Sequence, residues 1–289
     1  MIFSPRLNIK YKPTVWTTIR ANLGTGFRTV NLFTEDHAFI TGQRTVEIVE
    51  ALNPEQSYNS SLNINHVYSL MDGTGSIDLE AYYTHFTNKI IPNYDTPNKI
   101  IYGNSNGFAR TMGIGLTFNH SFDFPLTFNA GFNVQSATET EMNAEGISIT
   151  KDIEYAPKWS GVLTANYQWK QQQITLAYTA NITGNMTLPE VFDLDANGEL
   201  MNVARPTLSQ PFSLHNIQLS KVLKKNLMAY IGIQNLTNYR QATSPLVGYN
   251  DPNAAIGFSD FFDTSYAYAP NHGREFYLGI KWDVERNRK

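Results

Sequence analysis

The feature that most constrains this chain is a period-two alternation of apolar and polar residues in segments of about ten residues. In one segment Leu126, Phe128 and Ala130 alternate with Thr127 and Asn129. Because successive side chains of a strand point to opposite faces, each such segment predicts a strand with one apolar and one polar face. Eleven segments follow this pattern, at residues 3–11, 15–25, 57–69, 76–87, 106–120, 125–136, 158–169, 173–183, 213–222, 227–237 and 274–284. The sequence therefore predicts an all-β fold.

The connections between the predicted strands alternate strictly in length. The short ones are residues 12–14, 71–75, 121–124, 170–172 and 223–226. The long ones are roughly residues 26–56, 88–105, 137–157, 184–212 and 238–273. Short turns on one side and long loops on the other are typical of bacterial outer-membrane barrels, with periplasmic turns and extracellular loops. A soluble β-sandwich is not expected to sort its loops in this way.

Composition excludes several other classes of protein. The mean hydropathy is −0.32, and no stretch approaches the roughly 20 apolar residues of a membrane-spanning helix. Alternating barrel strands are compatible with such an average. The net charge of −3 gives no reason to expect a nucleic-acid partner. The sequence contains no cysteine, which excludes disulfides, thiol nucleophiles and thiolate metal sites.

Three tryptophans lie beside short connections or near the chain end, and a fourth lies at the opposite end of a strand. Trp16, Trp169 and Trp282 form the first group, and Trp159 is the fourth. In a membrane barrel the first group would form an aromatic girdle at the lipid headgroups of the inner rim. The alternative is that all four belong to the core of a soluble sheet.

The odd strand count predicts an incomplete barrel. A sheet in lipid must close because its edge N–H and C=O groups otherwise lack partners. Eleven antiparallel strands that begin and end on the same side cannot close alone. They would supply half of a large transporter barrel of about 22 strands. Met1–Lys10 lacks the pattern of a signal peptide, so we expect the export signal to lie outside this sequence.

Several motifs occur in order along the predicted strands. They are FSPRLNIKYKP at 3–13, TGFRTVNLF at 25–33, LNPE at 52–55, NLTNY at 235–239 and Gly273-Arg274 before the closing strand. In this order the chain resembles the TonB-dependent outer-membrane receptors, particularly of the Bacteroidetes type, across nearly its whole length. The segment Glu285–Lys289 departs from the family, whose members usually end on an aromatic residue.

The resemblance implies a transmembrane antiparallel β-barrel. Residues 1–289 would be the C-terminal portion of the receptor barrel domain, with the plug domain and the N-terminal strands absent. The implied location is the Gram-negative outer membrane, in contact with outer-membrane lipid and lipopolysaccharide. TonB would be contacted through the missing N-terminal part. The implied function is uptake of a scarce ligand, such as an iron chelate, haem, cobalamin or a glycan, without catalysis and without a resident cofactor.

The candidate ligand-binding residues lie in the predicted extracellular loops, because loops and the inner wall would form the concave site. Arg28 and His37 belong to the first long loop. The resemblance places His37 where haem receptors carry a histidine ligand, although an ordinary loop histidine is the favoured alternative. Tyr249, Phe258 and Phe262 represent the aromatic residues of the last loop. They could stack on sugars or aromatic chelators, or pack the loops against each other.

The sequence contains one segment that resembles a metal site and lacks the common catalytic motifs. Asp193–Gly198 copies the first half of a calcium-binding loop, but the twelfth position holds Ala204 instead of an acid. An Asn-Gly hairpin tip explains the same residues and is preferred, so no metal site is predicted. The motifs HExxH, GxSxG, Walker A and the Rossmann fingerprint are absent, so no catalytic residues are predicted.

The alternatives in other functional classes are a structural or adhesive barrel that binds through its loops, and a passive porin. A barrel enzyme, such as an outer-membrane lipase or protease, is a poor second to the receptor.

Overall fold

The computed structural model describes residues 3–28, 45–48, 52–93, 99–143, 145–254, 259 and 261–283. All named elements among them are β-strands. The described residues include no helix that is long and apolar enough to cross a membrane. In chain order the strands are β1 (Arg6–Tyr11), β2 (Thr17–Arg28), β3 (Thr45–Ile48), β4 (Glu55–Leu70), β5 (Gly73–Thr87), β6 (Ile90–Asn93), β7 (Lys99–Asn104), β8 (Phe108–Ser121), β9 (Leu126–Met142), β10 (Ser148–Asp152), β11 (Trp159–Trp169), β12 (Ile174–Thr183), β13 (Phe192–Leu194), β14 (Leu200–Ala204), β15 (Phe212–Lys224), β16 (Leu227–Gln234) and β17 (Glu275–Trp282).

Eleven long strands form one sheet in the order β1-β2-β4-β5-β8-β9-β11-β12-β15-β16-β17. Each long strand is hydrogen-bonded to the next long strand along the chain, and the ladders from β9 to β17 are antiparallel. All eleven predicted strands are confirmed. Among the described residues β1 pairs with β2 alone and β17 with β16 alone, so each leaves one edge of the sheet without a partner.

The alternation of short and long connections is confirmed as well. The short connections are residues 12–16, 71–72, 122–125, 170–173 and 225–226. The connection Met71-Asp72 has two residues, and both have positive φ angles, of 53° and 52°. Such angles at both central positions belong to the type I′ turn, whose twist matches the flanking strands. We call the strand ends that carry these connections the turn end of the sheet, and the opposite ends the loop end.

Six short strands occur where loops were predicted. β3, β7 and β6 form a separate three-stranded sheet, β13 pairs with β14, and β10 extends the main sheet by pairing with β9. These strands have three to six residues each. A strand of that length shows too few alternations to be distinguished from a loop by periodicity. The predicted loop at 137–157 is therefore wrong in part, since β9 continues to Met142.

The two faces of the main sheet differ as the alternation predicted. On β17 the side chains of Phe276 and Leu278 are 71% and 81% exposed. Leu278 lies opposite Ile231 of β16, which is also exposed, so the apolar face continues across the ladder. A soluble protein buries side chains of this kind or places them against a partner.

The tryptophans occupy the positions expected of a girdle. Trp16 lies in the first short connection, and Trp169 and Trp282 are the last residues of β11 and β17 at the turn end. All three are exposed, which excludes their burial in a soluble core. Trp159 begins β11 at the loop end and packs against Phe132, with ring centroids 6.1 Å apart.

The chain divides into two compact units, which are described separately. Unit 1 comprises residues 1–65, 79–114 and 135–153, and unit 2 comprises residues 66–78, 115–134 and 154–289.

In unit 1 the hairpin of β9 and β10 carries an ion-pair network. Glu139 Oε2 lies 2.6 Å from Lys89 Nζ, and Glu139 Oε1 lies 3.4 Å from Lys151 Nζ. Partial burial by itself would raise the pKa of the Glu139 carboxyl, but the two ammonium groups lower it below its ordinary value. Only residues 126–134 of β9 pair with β11, so Glu139 belongs to the part of β9 near the loop end of the sheet.

Candidate functional site

The described residues include three of the five predicted ligand-binding residues. His37 and Phe258 lie outside the described residues. Arg28 is the last residue of β2 in unit 1, whereas Tyr249 and Phe262 belong to the last long loop in unit 2. Of the predicted set, Tyr249 and Phe262 are therefore placed on a common loop.

Arg28 is exposed at the loop end, and its Nε lies 3.9 Å from Oε2 of Glu55. Oε1 of Glu55 accepts a hydrogen bond of 3.0 Å from the backbone N–H of Ile90. The carboxylate therefore connects the end of β2 to the start of β6. Since a guanidinium is always charged, Arg28 keeps a positive charge at the loop end.

The two longest loops of unit 2 fold together. We define the outer loop module as residues 184–211 together with the described residues of 235–274. Hydrogen bonds join its parts: Ser209 donates its backbone N–H to the Met186 carbonyl at 3.0 Å, and the Tyr266 hydroxyl donates to the Pro206 carbonyl at 2.7 Å. The first bond lies within the loop 184–211, whereas Tyr266 and Pro206 come from different loops, so the second bond fixes one loop on the other.

The outer loop module has its own hydrophobic core, made of buried side chains from both loops. The core residues are Met186, Leu188, Val191, Val247 and Tyr266, with Phe212 and Tyr268 packed against them. Burial of apolar side chains is the main stabilising contribution in folded proteins. The module is therefore a packed body in its own right, which the sequence did not reveal.

A buried arginine links the two loops of the outer loop module. The Arg205 side chain is 7% exposed, and its Nη2 and Nε donate to the two carboxylate oxygens of Asp193 at 2.5 and 3.0 Å. Its Nη1 donates to the Ser244 carbonyl at 2.6 Å, and its guanidinium lies 4.9 Å from the ring centroid of Tyr266. A bidentate pair of this kind is strong and directional. Arg205 therefore ties β13 to the last loop.

Gln241 makes a second polar link within the last loop. Its Nε2 donates to the carbonyls of Thr243 and Tyr266, each at 2.9 Å. Its Oε1 accepts from the backbone N–H groups of Tyr268 and Ala269, at 3.0 and 3.1 Å. A buried amide that satisfies both of its ends in this way fixes the fold of the loop.

The aromatic side chains of the last loop divide into a packing group and an exposed group. Tyr266 and Tyr268 pack in the module core, and Tyr239 stacks on Phe212 with ring centroids 5.3 Å apart. Burial raises the pKa of all three tyrosine hydroxyls. These aromatics therefore serve the structure of the module.

The exposed group forms a patch on the module surface. Tyr249 is 61% exposed, Phe261 is exposed, and Phe262 is half-buried. A bridge between Val247 and Asp263 brings the two loop segments side by side. We call Tyr249, Phe261 and Phe262 the aromatic patch. Phe261, which the sequence did not single out, is more exposed than the predicted Phe262.

The segment that resembles half of a calcium loop is a hairpin tip. Both carboxylate oxygens of Asp193 accept hydrogen bonds from Arg205. Oδ1 of Asp195 accepts hydrogen bonds from the backbone N–H groups of Asn197 and Glu199, at 2.8 and 3.0 Å. These backbone donors lower the pKa of the Asp195 carboxyl. Gly198 follows with a φ of 81°, as the Asn-Gly hairpin interpretation expects. The described residues contain no cluster of three or more His, Cys, Asp or Glu that could hold a metal ion.

The polar face of unit 2 carries a hydrogen-bonded row of neutral side chains. The Tyr277 hydroxyl donates to Gln218 Oε1 at 2.9 Å across β15–β17, and Asn216 Nδ2 donates to Thr179 Oγ1 at 3.2 Å. Residues that face each other across a ladder share a face, so these groups lie opposite to the exposed apolar residues of β17. This part of the main sheet therefore has one polar and one apolar face.

This two-faced antiparallel sheet matches a known family. A profile described as "TonB dependent receptor-like, beta-barrel" matches residues 1–236, which is more than half of the chain. The chain belongs to this family. The resemblance drawn from the motifs is therefore confirmed at the level of the TonB-dependent receptor family, whose members are transport receptors of the outer membrane. No curated protein sequence gives a significant match.

Solved structures of TonB-dependent receptors share the fold. The FrpB iron transporter from Neisseria meningitidis has a TM-score of 0.65 at 13% identity, with 96% of this chain and 39% of that chain covered. A mutant ferric enterobactin receptor (PfeA) from Pseudomonas aeruginosa in complex with enterobactin has a TM-score of 0.62 at 19% identity, with 96% and 40% covered. The ferric-catecholate import receptor Fiu from E. coli has a TM-score of 0.59 at 16% identity, with 96% and 34% covered. The chain spans about two fifths of the length of the first listed receptors.

In this TonB-dependent receptor chain, hydrogen bonds join the motif at 235–239 to the motif at 273–274. The buried Asn235 donates through Nδ2 to the Tyr239 carbonyl at 2.7 Å and accepts through Oδ1 from the Tyr239 N–H at 2.9 Å. Arg274 donates through Nε and Nη2 to the Leu236 carbonyl at 3.0 and 2.7 Å, and its N–H donates to Asn238 Oδ1. The motifs at 235–239 and 273–274 therefore form one junction at the loop end of β16 and β17.

Replacing Asn235 with alanine should loosen this junction. Asn235 has a φ of 50°, which costs a residue other than Gly, Asn or Asp about 1 kcal/mol or more, and two hydrogen bonds are lost as well. We expect a loss of about 2–3 kcal/mol in local stability, measured by hydrogen exchange of β16 and β17. The variant Asn235→Gly tolerates the φ angle and should lose only the hydrogen-bond part. Equal losses of local stability in the two variants would show that the positive φ angle of residue 235 contributes nothing to the effect.

Proposed function

We propose that this chain forms eleven strands of the wall of a Gram-negative outer-membrane receptor that takes up a scarce ligand by energy-coupled transport. The exposed apolar face of the main sheet carries the proposal, because lipid is the environment that such a face requires. The opposite polar face would line the lumen. Residues 1–289 would then be the C-terminal portion of the barrel domain, and further strands would close it.

The proposed orientation follows from the connections. The turn end, with exposed Trp16, Trp169 and Trp282, faces the periplasm, and the loop end faces the outside. The apolar face would contact outer-membrane lipid and, on the outside, lipopolysaccharide. TonB would act through a plug and a contact segment that belong to other parts of the receptor.

A ferric chelate is the first candidate for the ligand. The solved receptors with this fold are named as an iron transporter, a ferric enterobactin receptor and a ferric-catecholate import receptor. Haem, cobalamin and glycans remain the alternatives. The chain would bind and move its ligand and would catalyse no reaction.

The proposed contact surface is the aromatic patch of the outer loop module. A planar aromatic chelator could stack on Tyr249, whose ring is exposed on a firmly packed body. Phe258, which lies outside the described residues, remains a further candidate for ligand contact. Arg28 would attract an anionic chelate, and His37 remains a candidate ligand for haem iron.

Replacing Tyr249 with alanine should weaken binding without unfolding the module. An aromatic pair contributes about 0.5–1.5 kcal/mol beyond area burial, so the dissociation constant should rise up to about tenfold. Binding of ferric enterobactin to the purified receptor, followed by tryptophan fluorescence, measures the change. Tyr249→Phe keeps the ring and should bind as the wild type does. Equal affinities of all three proteins would remove Tyr249 from the site.

A growth experiment tests the function itself. The native host without this gene should grow poorly when a ferric chelate is the sole iron source, and should fail to accumulate radioactive iron from it. Cobalamin, haem and glycan limitation in parallel cultures separate the ligand classes. Normal uptake of all four nutrients by the deletion strain would overturn the receptor proposal.

A further inference from the structure

The tip of the β13–β14 hairpin is covered by the last long loop. Residues 195–197 of the tip are exposed, whereas Gly198 is buried. A methyl group at Gly198 would overlap Nδ2 of Asn253 and approach Oδ1 of Asp251 to 2.7 Å. Nδ2 of Asn253 also donates a hydrogen bond of 2.5 Å to the Asn197 carbonyl. The two loops of the outer loop module therefore meet at this tip as well as at Arg205.

The residues that cover the hairpin tip follow directly after Tyr249. Tyr249 is the second residue of the turn Gly248–Asp251, which is closed by a hydrogen bond of 3.4 Å from the Asp251 N–H to the Gly248 carbonyl. Oδ1 of Asp251 accepts a hydrogen bond of 2.8 Å from the Asn253 N–H. The hairpin tip therefore contacts the segment that carries the exposed ring of Tyr249.

A buried serine joins this turn to the other residues of the aromatic patch. Ser259 is 7% exposed, and its hydroxyl donates to Oδ2 of Asp251. The same hydroxyl accepts from the Phe261 N–H at 3.1 Å, and the Ser259 carbonyl accepts from the Phe262 N–H at 3.0 Å. Ser259 therefore holds the backbone of both phenylalanines beside the turn.

The absence of a side chain at residue 248 lets the two segments approach closely. Gly248 is buried and has a φ of 68°. A methyl group there would approach the Phe261 carbonyl oxygen to 2.9 Å and the Phe262 nitrogen to 3.0 Å. Both are backbone atoms, so the turn packs directly on the chain between the two phenylalanines. Tyr249, the next residue, keeps a ring that is 61% exposed.

We propose that Gly198, Asn253, Asp251 and Ser259 are positioning residues that hold the aromatic patch in its binding arrangement, a role that rests on the ligand contact proposed above for this patch. We call these four residues the patch support. They act on the ligand through Tyr249 and its neighbours. A site that is correctly arranged for only part of the time binds with an affinity reduced by that fraction. A loosened support should therefore raise the dissociation constant.

Binding of ferric enterobactin to the purified receptor tests the patch support. Ser259→Ala removes the hydroxyl that joins Asp251 to Phe261, and we expect the dissociation constant to rise about fivefold, as the arranged fraction falls to about one fifth. Asn253→Ala removes the donor to the Asn197 carbonyl and should raise the dissociation constant about threefold. Ser259→Thr retains the hydroxyl and should bind within about twofold of the wild type.

Proteolysis separates positioning from folding in these variants. The Arg205–Asp193 pair and the module core remain in Asn253→Ala, so cleavage within 184–211 and 238–273 should keep the wild-type rate. A raised dissociation constant at an unchanged rate of cleavage supports the patch support. A raised dissociation constant that always accompanies faster cleavage of both loops would overturn it, because loss of folding would then explain the effect.

Gly198→Ala and Gly146→Ala form a matched pair. The two glycines have φ angles of 81° and 79°, so alanine strains the backbone to a similar extent at both positions. A methyl group at Gly146 would meet no atom within 4 Å, whereas one at Gly198 displaces Asn253 and Asp251. We expect the dissociation constant to rise about fivefold in Gly198→Ala and to stay unchanged in Gly146→Ala. Equal affinities of the two variants would overturn the proposal.

A nitroxide label at residue 249 reports on the patch without any ligand. The sequence contains no cysteine, so Tyr249→Cys provides a single site of attachment. Electron paramagnetic resonance should show restricted motion of the label in the otherwise unchanged receptor. The motion should be faster when Asn253→Ala or Ser259→Ala is added. An unchanged spectrum in both double variants would overturn the patch support.

The label also separates the patch support from the proposed function. A receptor that binds ferric enterobactin with the same affinity in Ser259→Ala, Asn253→Ala and the wild type refutes the patch support alone. A wild-type receptor that binds neither ferric enterobactin nor any of the other candidate ligands, while the label responds as expected, refutes the proposed function alone.

Discussion

Replacing Gly107 with alanine should disrupt the outer part of unit 1. A methyl group at this position would overlap the Thr140 carbonyl oxygen and approach the Glu141 Cα to 3.0 Å. Both obstacles are backbone atoms, so no side-chain rotation can relieve the overlap, and β8 must separate from β9. Overpacking costs about 1–3 kcal/mol or more, and we expect a loss near the upper end of this range. Urea unfolding of the purified receptor in detergent micelles measures the free energy of unfolding.

Gly103 provides a matched control in the same unit. It lies in β7, and a methyl group there would meet no atom within 4 Å. Gly103→Ala should therefore change the free energy of unfolding by less than about 1 kcal/mol, since removing a glycine also restricts the unfolded chain. Hydrogen exchange at 138–142 should accelerate in Gly107→Ala and stay unchanged in Gly103→Ala. Equal stability of the two variants would show that unit 1 can relax around Gly107.

Replacing Asp193 with alanine should open the outer loop module. The substitution leaves the buried Arg205 guanidinium without its carboxylate, and an unpaired buried charge costs about 3–5 kcal/mol. The half-exposed position of Asp193 reduces this figure, and we expect a loss of about 3 kcal/mol in the module. Proteolytic cleavage within 184–211 and 238–273 should accelerate about 100-fold, since each 1.4 kcal/mol is a factor of ten. Cleavage within the main sheet should not change.

Asp195 provides the control for this experiment. It lies two residues away, and its carboxylate accepts hydrogen bonds at the exposed hairpin tip without pairing with an arginine. Asp195→Ala should have a much smaller effect on proteolysis than Asp193→Ala. Adding Arg205→Met to Asp193→Ala should restore part of the protection, because it removes the unpaired charge. Identical cleavage of both single variants would contradict the stabilising effect of the Arg205–Asp193 pair.

The main sheet could be predicted from the sequence because its determinants are local. Each long strand must present an apolar face and a polar face, so ten or more residues repeat one simple pattern. The turn at Met71-Asp72 and the order of short and long connections follow directly from where that pattern stops. The closing motifs at 235–239 and 273–274 were visible as sequence, and the structure supplies the hydrogen bonds that explain them.

The outer loop module could not be predicted in this way. Its contacts join residues far apart in sequence, such as Tyr266 and Pro206, and no periodic pattern marks them. The last loop is rich in aromatic residues, but the sequence could not tell which of them pack. Tyr266 is buried and Tyr249 is exposed although both are loop tyrosines, because Arg205 and the module core surround the first alone.

The sequence by itself determined the all-β class, the eleven strands, their connections and the receptor family, since alternation and short motifs are read residue by residue. The tertiary structure alone decided that two loops form one packed body around Arg205, and that His120 is buried against Gly73. These features depend on which distant side chains meet, and the free energy of such contacts is gained only when the sheet brings the residues together.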